Sequence, residues 1–183
     1  MKQELLKKKL IEILKKKSLL TNVTRVLTSG RTSNYYIDAK MTTLDPEGAN
    51  TTAQLILELL GSFEVDAIGG YTLGADPIVS VVAALSAKTD QPLPAFIVRK
   101  EPKKHGERKM IEGPFKEGWK VAVVDDVVTS GGSTLKACRA VEEEKGKVAV
   151  TIALVDRLEG GRENLEKNGY PFLSLVTRDD LLE

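Results

Sequence analysis

Cysteine is almost missing from this 183-residue chain: Cys138 is the single one, so a disulfide framework within the chain is excluded. Its stretch, "STLKACRAVEEEK", forms helix, and a lone thiol there reads as a small buried hydrophobe rather than a nucleophile. An excess of charge of one sign is also missing. Lys and Arg number 27 against 26 Asp and Glu, a formal net charge of +1, so no global field argues for nucleic acid or an anionic membrane as partner. No apolar run approaches the roughly 18 residues of a membrane span. The lysine-rich N-terminus lacks an uninterrupted apolar core and a small-residue cleavage site, so a signal peptide is not expected and a reducing, cytoplasmic setting is. What remains, 42% hydrophobic and 29% charged residues, is ordinary for one globular domain with a core of its own.

The order of the segments implies the fold class. "KQELLKKKLIEILKKK" spaces Leu5, Leu6, Ile11, Ile13 and Leu14 close to a helical period, its charges forming a solvated face. "VTRVLTSGRTSNYYIDAK" reads as two short strands around a Ser29-Gly30 turn. "DPEGANTTAQLILELL" opens a helix with an aspartate cap and a proline at the first helical position. From there strands and helices alternate: "VDAIGG", "ADPIVSVVAALSAK", "AFIVRK", "KVAVVDD", "STLKACRAVEEEK", "KVAVTIALVDR", "GRENLEKNG" and "PFLSLV". Such alternation predicts an α/β fold with about five parallel strands flanked by helices. A single domain 1–183 is expected, with a small N-terminal hood over 1–45 and an α/β core over 46–183. In open α/β sheets ligands bind beyond the carboxyl ends of the strands. The unusual chemistry sits there: Gly69-Gly70, Arg99-Lys100, Asp125-Asp126 and Asp156-Arg157.

Four loops carry that chemistry. "VVDDVVTSGGST" turns from a strand into a helix through Thr129, Ser130, Gly131, Gly132, Ser133 and Thr134, whose N–H groups and hydroxyls can cradle a phosphate, helped by the helix dipole. It is not a P-loop, since no GK[ST] appears. Two carboxylates beside a phosphate would repel it unless they address something else, and the vicinal hydroxyls of a sugar are suitable donors. A plain acidic strand end is the alternative. "GGYTLGADP" offers a second anion nest or an ordinary glycine-rich turn. "VRKEPKKHGERKMIEGPFKEG" holds six Lys/Arg against two Glu between Arg99 and Lys109, and its length without apolar period suits a mobile loop over 100–117 that closes on phosphates; a solvated basic loop is the bland reading. In "LVDRLEGGRENL" Arg157 could grip a planar carboxylate, or form a surface pair with Asp156.

With these segments assembled, the chain resembles the orotate phosphoribosyltransferases, of the type I phosphoribosyltransferase fold. "VVDDVVTSGGST" matches the motif for 5-phosphoribosyl 1-diphosphate (PRPP), which purine enzymes and some regulators share. "SGRTSNYYID", "RKEPKKHGE" and "DRLEGGRE" mark the orotate branch, so the likeness covers roughly residues 20–175. The resemblance implies that Asp125 and Asp126 hold the ribose hydroxyls and that Val127, Val128, Thr129, Ser130, Gly131, Gly132 and Ser133 surround the 5′-phosphate. It puts Tyr71, Thr72, Leu73 and Gly74 against the pyrophosphate, with Arg99, Lys100, Lys103 and His105 also on PRPP. Lys103, His105 and Asp126 are the implied catalytic residues. Orotate would lie on Arg157, Thr129, Tyr35 and Tyr36.

The resemblance also implies Mg²⁺ held through PRPP oxygens, with no direct protein ligand beyond Asp125 through a water. It implies a homodimer with shared active sites and a place in pyrimidine biosynthesis, without nucleic-acid or membrane partners. One departure stands out: Thr28 stands directly before "SG", where many relatives carry a lysine, with Arg31 as a substitute. Tyr35 and Tyr36 replace the phenylalanines of some members. The alternatives are a purine-base phosphoribosyltransferase, against which Arg157 and "SGRTSNYYID" argue, and a PRPP-sensing regulator, for which the N-terminal helix is too short to make a winged-helix domain.

Overall fold

The computed structural model describes residues 2–26, 32–101 and 109–183. Helix α1 (Lys2–Lys17) is followed by an antiparallel hairpin of β1 (Leu19–Val26) and β2 (Thr32–Ile37), then by a single turn, α2 (Lys40–Thr43). Helix α3 (Pro46–Leu60) starts as its sequence predicts, with the Asp45 carboxylate accepting from the N–H groups of Glu47 and Gly48 and proline in the first turn. The alternating part comprises β3 (Ala67–Tyr71), α4 (Ala75–Ser86), β4 (Ala95–Val98), β5 (Ile111–Glu112), β6 (Lys120–Val128), α5 (Gly132–Glu143), β7 (Lys147–Asp156), α6 (Gly161–Lys167), β8 (Phe172–Thr177) and α7 (Arg178–Leu182).

The sheet runs in the order β5-β4-β3-β6-β7-β8. The expected five strands pair in parallel, and β5 adds an antiparallel edge against β4. Strand order reverses between β3 and β6, so their carboxyl ends open a crevice at the centre. Successive residues of β6 serve opposite faces, as the pleat requires. Ala122 and Val124 join Leu14, Ile56, Val79 and Ile152 on one side. Val121 and Val123 join Phe96, Leu135, Cys138 and Phe172 on the other. Leu10, Leu14, Tyr35 and Ile37 belong to the first cluster, so the N-terminal section and the alternating part share a core.

Three sequence expectations need correction. Strand β6 does not stop at the aspartates but continues to Val128, because β7 pairs with it as far as Asp156. Within the loop expected over 100–117, residues 109–117 are packed structure. Arg99 N–H donates to the Met110 carbonyl at 2.9 Å, and Phe115 stands edge-on between Phe96 and Trp119, with ring centres 5.3 and 6.3 Å away. On α1, Leu5 is 70% exposed and Leu10 is buried instead.

Gly69 and Gly70 lie inside β3, where their neighbours use the missing side chains. A Cβ on Gly69 would strike the Phe96 ring, and one on Gly70 would strike the Val124 carbonyl and Ala75. Overpacking of this kind costs about 1–3 kcal/mol. Gly70→Ala should lower the melting temperature by roughly 2–12 °C, at ~2–4 °C per kcal/mol for a domain this size. An unchanged calorimetric Tm would contradict the close approach of β3 to β6.

Candidate active site

Parallel pairing of β6 with β3 and β7 brings three loops to the same end of the sheet. Asp125 is 4% exposed. One of its oxygens accepts from Ser133 Oγ at 2.5 Å and Thr134 Oγ1 at 2.9 Å, the other from Asp126 N–H at 3.0 Å. Burial pushes its pKa up to about 6, with the neighbouring Asp126 charge adding to the rise and the two hydroxyls opposing it. The carboxylate therefore ties the strand to the first turn of α5.

Between them, Thr129, Ser130 and Gly131 make the turn. Gly131 adopts φ 77 and caps α5 without a side-chain hydrogen bond. The N-terminal N–H groups of α5 thus have no side-chain acceptor from the cap. Asn164 Nδ2 holds the Ser130 carbonyl at 2.7 Å, and Gly161 packs so tightly under Val128 and Thr129 that a Cβ there would clash. A turn of this shape at a helix N-terminus can cradle an anion.

Asp126 faces differently. Oδ1 accepts from Val127 N–H at 2.8 Å, and Oδ2 lies 3.7 Å from Lys40 Nζ. Lys40 also meets Asp38 at 3.2 Å. Burial pulls the Lys40 ammonium down, but Asp126 and Asp38 together carry its pKa above the ordinary lysine value. Gly74, at the head of α4, makes room for the Asp126 carboxylate, which a Cβ would strike. In "GGYTLGADP" the first two glycines thus serve strand packing and the third makes room for Asp126. The Thr72–Leu73 peptide is cis, and Thr72 Oγ1 donates to Asp76 at 2.7 Å. The Tyr71 ring turns toward α5, with Lys136 Nζ 5.8 Å from its centre.

Thr72, Ile97, Arg99, Lys100, Glu101 and Glu112 line a cavity of about 520 Å³. Arg99 is fastened there to Glu112 at 3.2 Å. A larger hollow of about 770 Å³ lies by Asp66 and Lys120, at the amino ends of β3 and β6, the end of the sheet opposite to these loops. Arg157, at the end of β7, is 3% exposed and pairs with Glu159, not with Asp156, which is itself buried and bonds to Leu158 N–H. The alternative surface pair of Arg157 with Asp156 does not form. Tyr35 lies under the Arg157 guanidinium at 4.7 Å; Tyr36, its strand neighbour, is half-buried.

The structure thus gathers Asp125, Asp126 and the 127–133 turn, with Thr72, Arg99 and Lys100 across the switch in strand order and Arg157 with Tyr35 beside it. Lys103 and His105, and with them Thr28 and Arg31, lie outside the described residues. Lys40, Glu112 and Glu159 were not singled out in the sequence. Each sits inside or beside a quoted segment, yet only tertiary folding reveals its partner. Cys138 is fully buried, and burial pushes its thiol up to about 12, as an inert core residue requires.

A family model for the phosphoribosyl transferase domain matches residues 79–170. The orotate phosphoribosyltransferase of Aquifex aeolicus is 47% identical over 178 residues, covering 96% of this chain and 97% of the relative. That of Methanocaldococcus jannaschii is 41% identical, covering 96% of each. Among solved structures, the Mycobacterium tuberculosis orotate phosphoribosyltransferase in complex with PRPP superposes with a TM-score of 0.81 at 32% identity, over 97% of this chain and 99% of that one.

The buried Asp125 has a pH signature. Its folded pKa of about 6 lies above the unfolded value near 4, so the native state binds the extra proton in that window. Stability attributable to this group falls as pH rises from about 4 to about 6, and the penalty is complete above it. Asp125→Asn removes the charge but also one of the two acceptors, so its Tm relative to the wild type should be more favourable near pH 8 than near pH 4. An equal difference at both would mean that burial of the charge is not the cause.

Proposed function

The chain belongs to the orotate phosphoribosyltransferase family, and from that premise we propose how its residues carry the reaction. The enzyme transfers the 5-phosphoribosyl group of PRPP to orotate, giving orotidine 5′-monophosphate and pyrophosphate. Supporting the assignment of roles is one juxtaposition: an uncapped helix N-terminus behind a glycine-hydroxyl turn, two carboxylates before it, and a buried arginine one strand away.

In this reading the turn 129–133 takes the 5′-phosphate through N–H groups and hydroxyls. Asp126, the less buried of the pair, accepts from the ribose hydroxyls. Asp125 braces the turn and reaches the sugar only as Ser133 or a water permits. Thr72, Arg99 and Lys100 line the space for pyrophosphate. Arg157 meets the orotate carboxylate above Tyr35, with Tyr36 and Thr129 toward the base. Orotate nitrogen is a modest nucleophile, so cleavage of the bond to pyrophosphate runs ahead of attack and leaves oxocarbenium character on the ribose. Catalysis then rests on stabilising charge that grows on the departing diphosphate. Lys103 and His105, outside the described residues, would supply cationic groups for this step.

Mg²⁺ fits this donor set as a substrate-borne ion. Among the described residues no group of three or more His, Cys, Asp or Glu could hold a metal, while magnesium is commonly held by substrate phosphates with one or two carboxylates. When bound, it would neutralise the diphosphate. We also infer a homodimer with shared sites and a cytoplasmic setting, consistent with a single, buried cysteine; among the described residues no helix is long and apolar enough to cross a membrane. Neither a purine base nor a regulatory role is favoured, since close relatives at 41–47% identity are orotate enzymes.

Three measurements test the assignment. Orotate absorbance should fall with PRPP and Mg²⁺, while adenine and hypoxanthine are untouched; consumption of a purine and not orotate would overturn it. Chelation by EDTA should arrest turnover and added Mg²⁺ restore it; undiminished activity in EDTA would remove the metal from the proposal. Lys103→Ala should lower kcat by about 10²–10³ with the orotate KM little changed. Equal effects on both would count against its role on the leaving group.

A further inference from the structure

Arg157 and Glu159 are two residues apart yet face each other, Nε to Oε1, at 2.9 Å. Leu158 between them makes this possible by adopting φ 56, a left-handed conformation that a branched apolar residue seldom takes. The turn is held by the buried Asp156, whose Oδ1 accepts from Leu158 N–H at 2.8 Å. Strain of this sort persists where surrounding contacts over-determine it, and it concentrates at functional sites. Here its effect is to fold Glu159 back onto Arg157. The side chains are 4% and 16% exposed, so the pair is largely out of water.

The same Glu159 oxygen accepts from the Tyr35 hydroxyl at 3.5 Å, and the Tyr35 ring lies 4.7 Å from the guanidinium carbon. Glutamate therefore holds the guanidinium at Nε while the Tyr35 ring lies against it, so the group is restrained from two sides. A planar fork reads a carboxylate only when its plane is set.

We propose that Glu159 is a positioning residue for recognition of the substrate carboxylate: it acts through Arg157, fixing the guanidinium plane from behind, and does not touch substrate. This rests on the reading that Arg157 takes the carboxylate of orotate. Glu159 also offsets the cost of burying the guanidinium, which unpaired would be severe.

Steady-state kinetics with orotate and PRPP in Glu159→Ala, Glu159→Gln, Arg157→Ala and the Arg157→Ala/Glu159→Ala double variant test it. Glu159→Ala should raise the orotate KM about 10–100-fold, as misplacement of a binding group does, and leave the PRPP KM unchanged. Glu159→Gln keeps an oxygen for Nε and should recover most of the loss. The double variant should be no worse than Arg157→Ala, because the two act as one unit. A wild-type orotate KM in Glu159→Ala, or a PRPP KM rising in parallel, overturns the proposal; so does a double-variant loss equal to the two single losses combined. Should Glu159→Ala not fold, Glu159→Gln decides: an orotate KM as high as that of Arg157→Ala sinks it. Failure of the wild-type enzyme to consume orotate sinks the substrate reading itself, and this proposal with it.

Discussion

A carboxylate buried at the middle of the sheet holds the active crevice in shape. Asp125 accepts two hydroxyl hydrogen bonds from the start of α5 and one backbone N–H from its own strand. These bonds close the 129–131 turn over a fixed span, and Asn164 and Gly161 support it from below. A buried carboxylate is costly, as its raised pKa shows. The cost is sustained because the alternative, a loop free to choose its own conformation, would have to be ordered by each incoming phosphate.

A second regularity concerns charge. Among the described residues, three cations at the crevice or its border are each matched by a protein acid: Lys40 by Asp126 and Asp38, Arg99 by Glu112, Arg157 by Glu159. With a net charge of +1 the chain has no long-range positive field to attract polyphosphates. Lys40 belongs to the segment after the hairpin and Asp126 to the centre of the sheet, so their approach also links the N-terminal section to the central strand β6.

Much of this was legible beforehand. The five parallel strands, the capped start of α3, and the strand-turn-helix around Gly131 announce themselves through period, proline and glycine, which are local signals. What local signals do not carry is pairing across the fold. Strand β6 outruns its aspartates because β7 offers partners up to Asp156, a fact about register. Residues 109–117 look like loop because a two-residue strand has no period, yet Phe115 finds Phe96 and Trp119. Lys40 and Glu159 stand in quoted segments as ordinary charges. Their meaning depends on Asp126, 86 positions from Lys40, and on a backbone reversal at Leu158 that no residue preference predicts.

Exposure separates the paired cations into two kinds. Arg99 and Glu112 are 41% and 35% exposed in their side chains, where water already weakens their attraction and an ion pair is worth about 0–1 kcal/mol. In the proposed reading a diphosphate takes Arg99 at little cost and returns it on leaving, which suits a group that must be released each turnover. Arg157 and Glu159 at 4% and 16% are another matter. Separating them would leave a charge buried without its partner, a penalty of several kcal/mol. No substrate carboxylate gains by displacing Glu159, so it must bind a guanidinium that remains paired. The leaving group thus meets exchangeable contacts and the base meets fixed ones. That division matches a reaction in which pyrophosphate moves away while the acceptor must stay aligned.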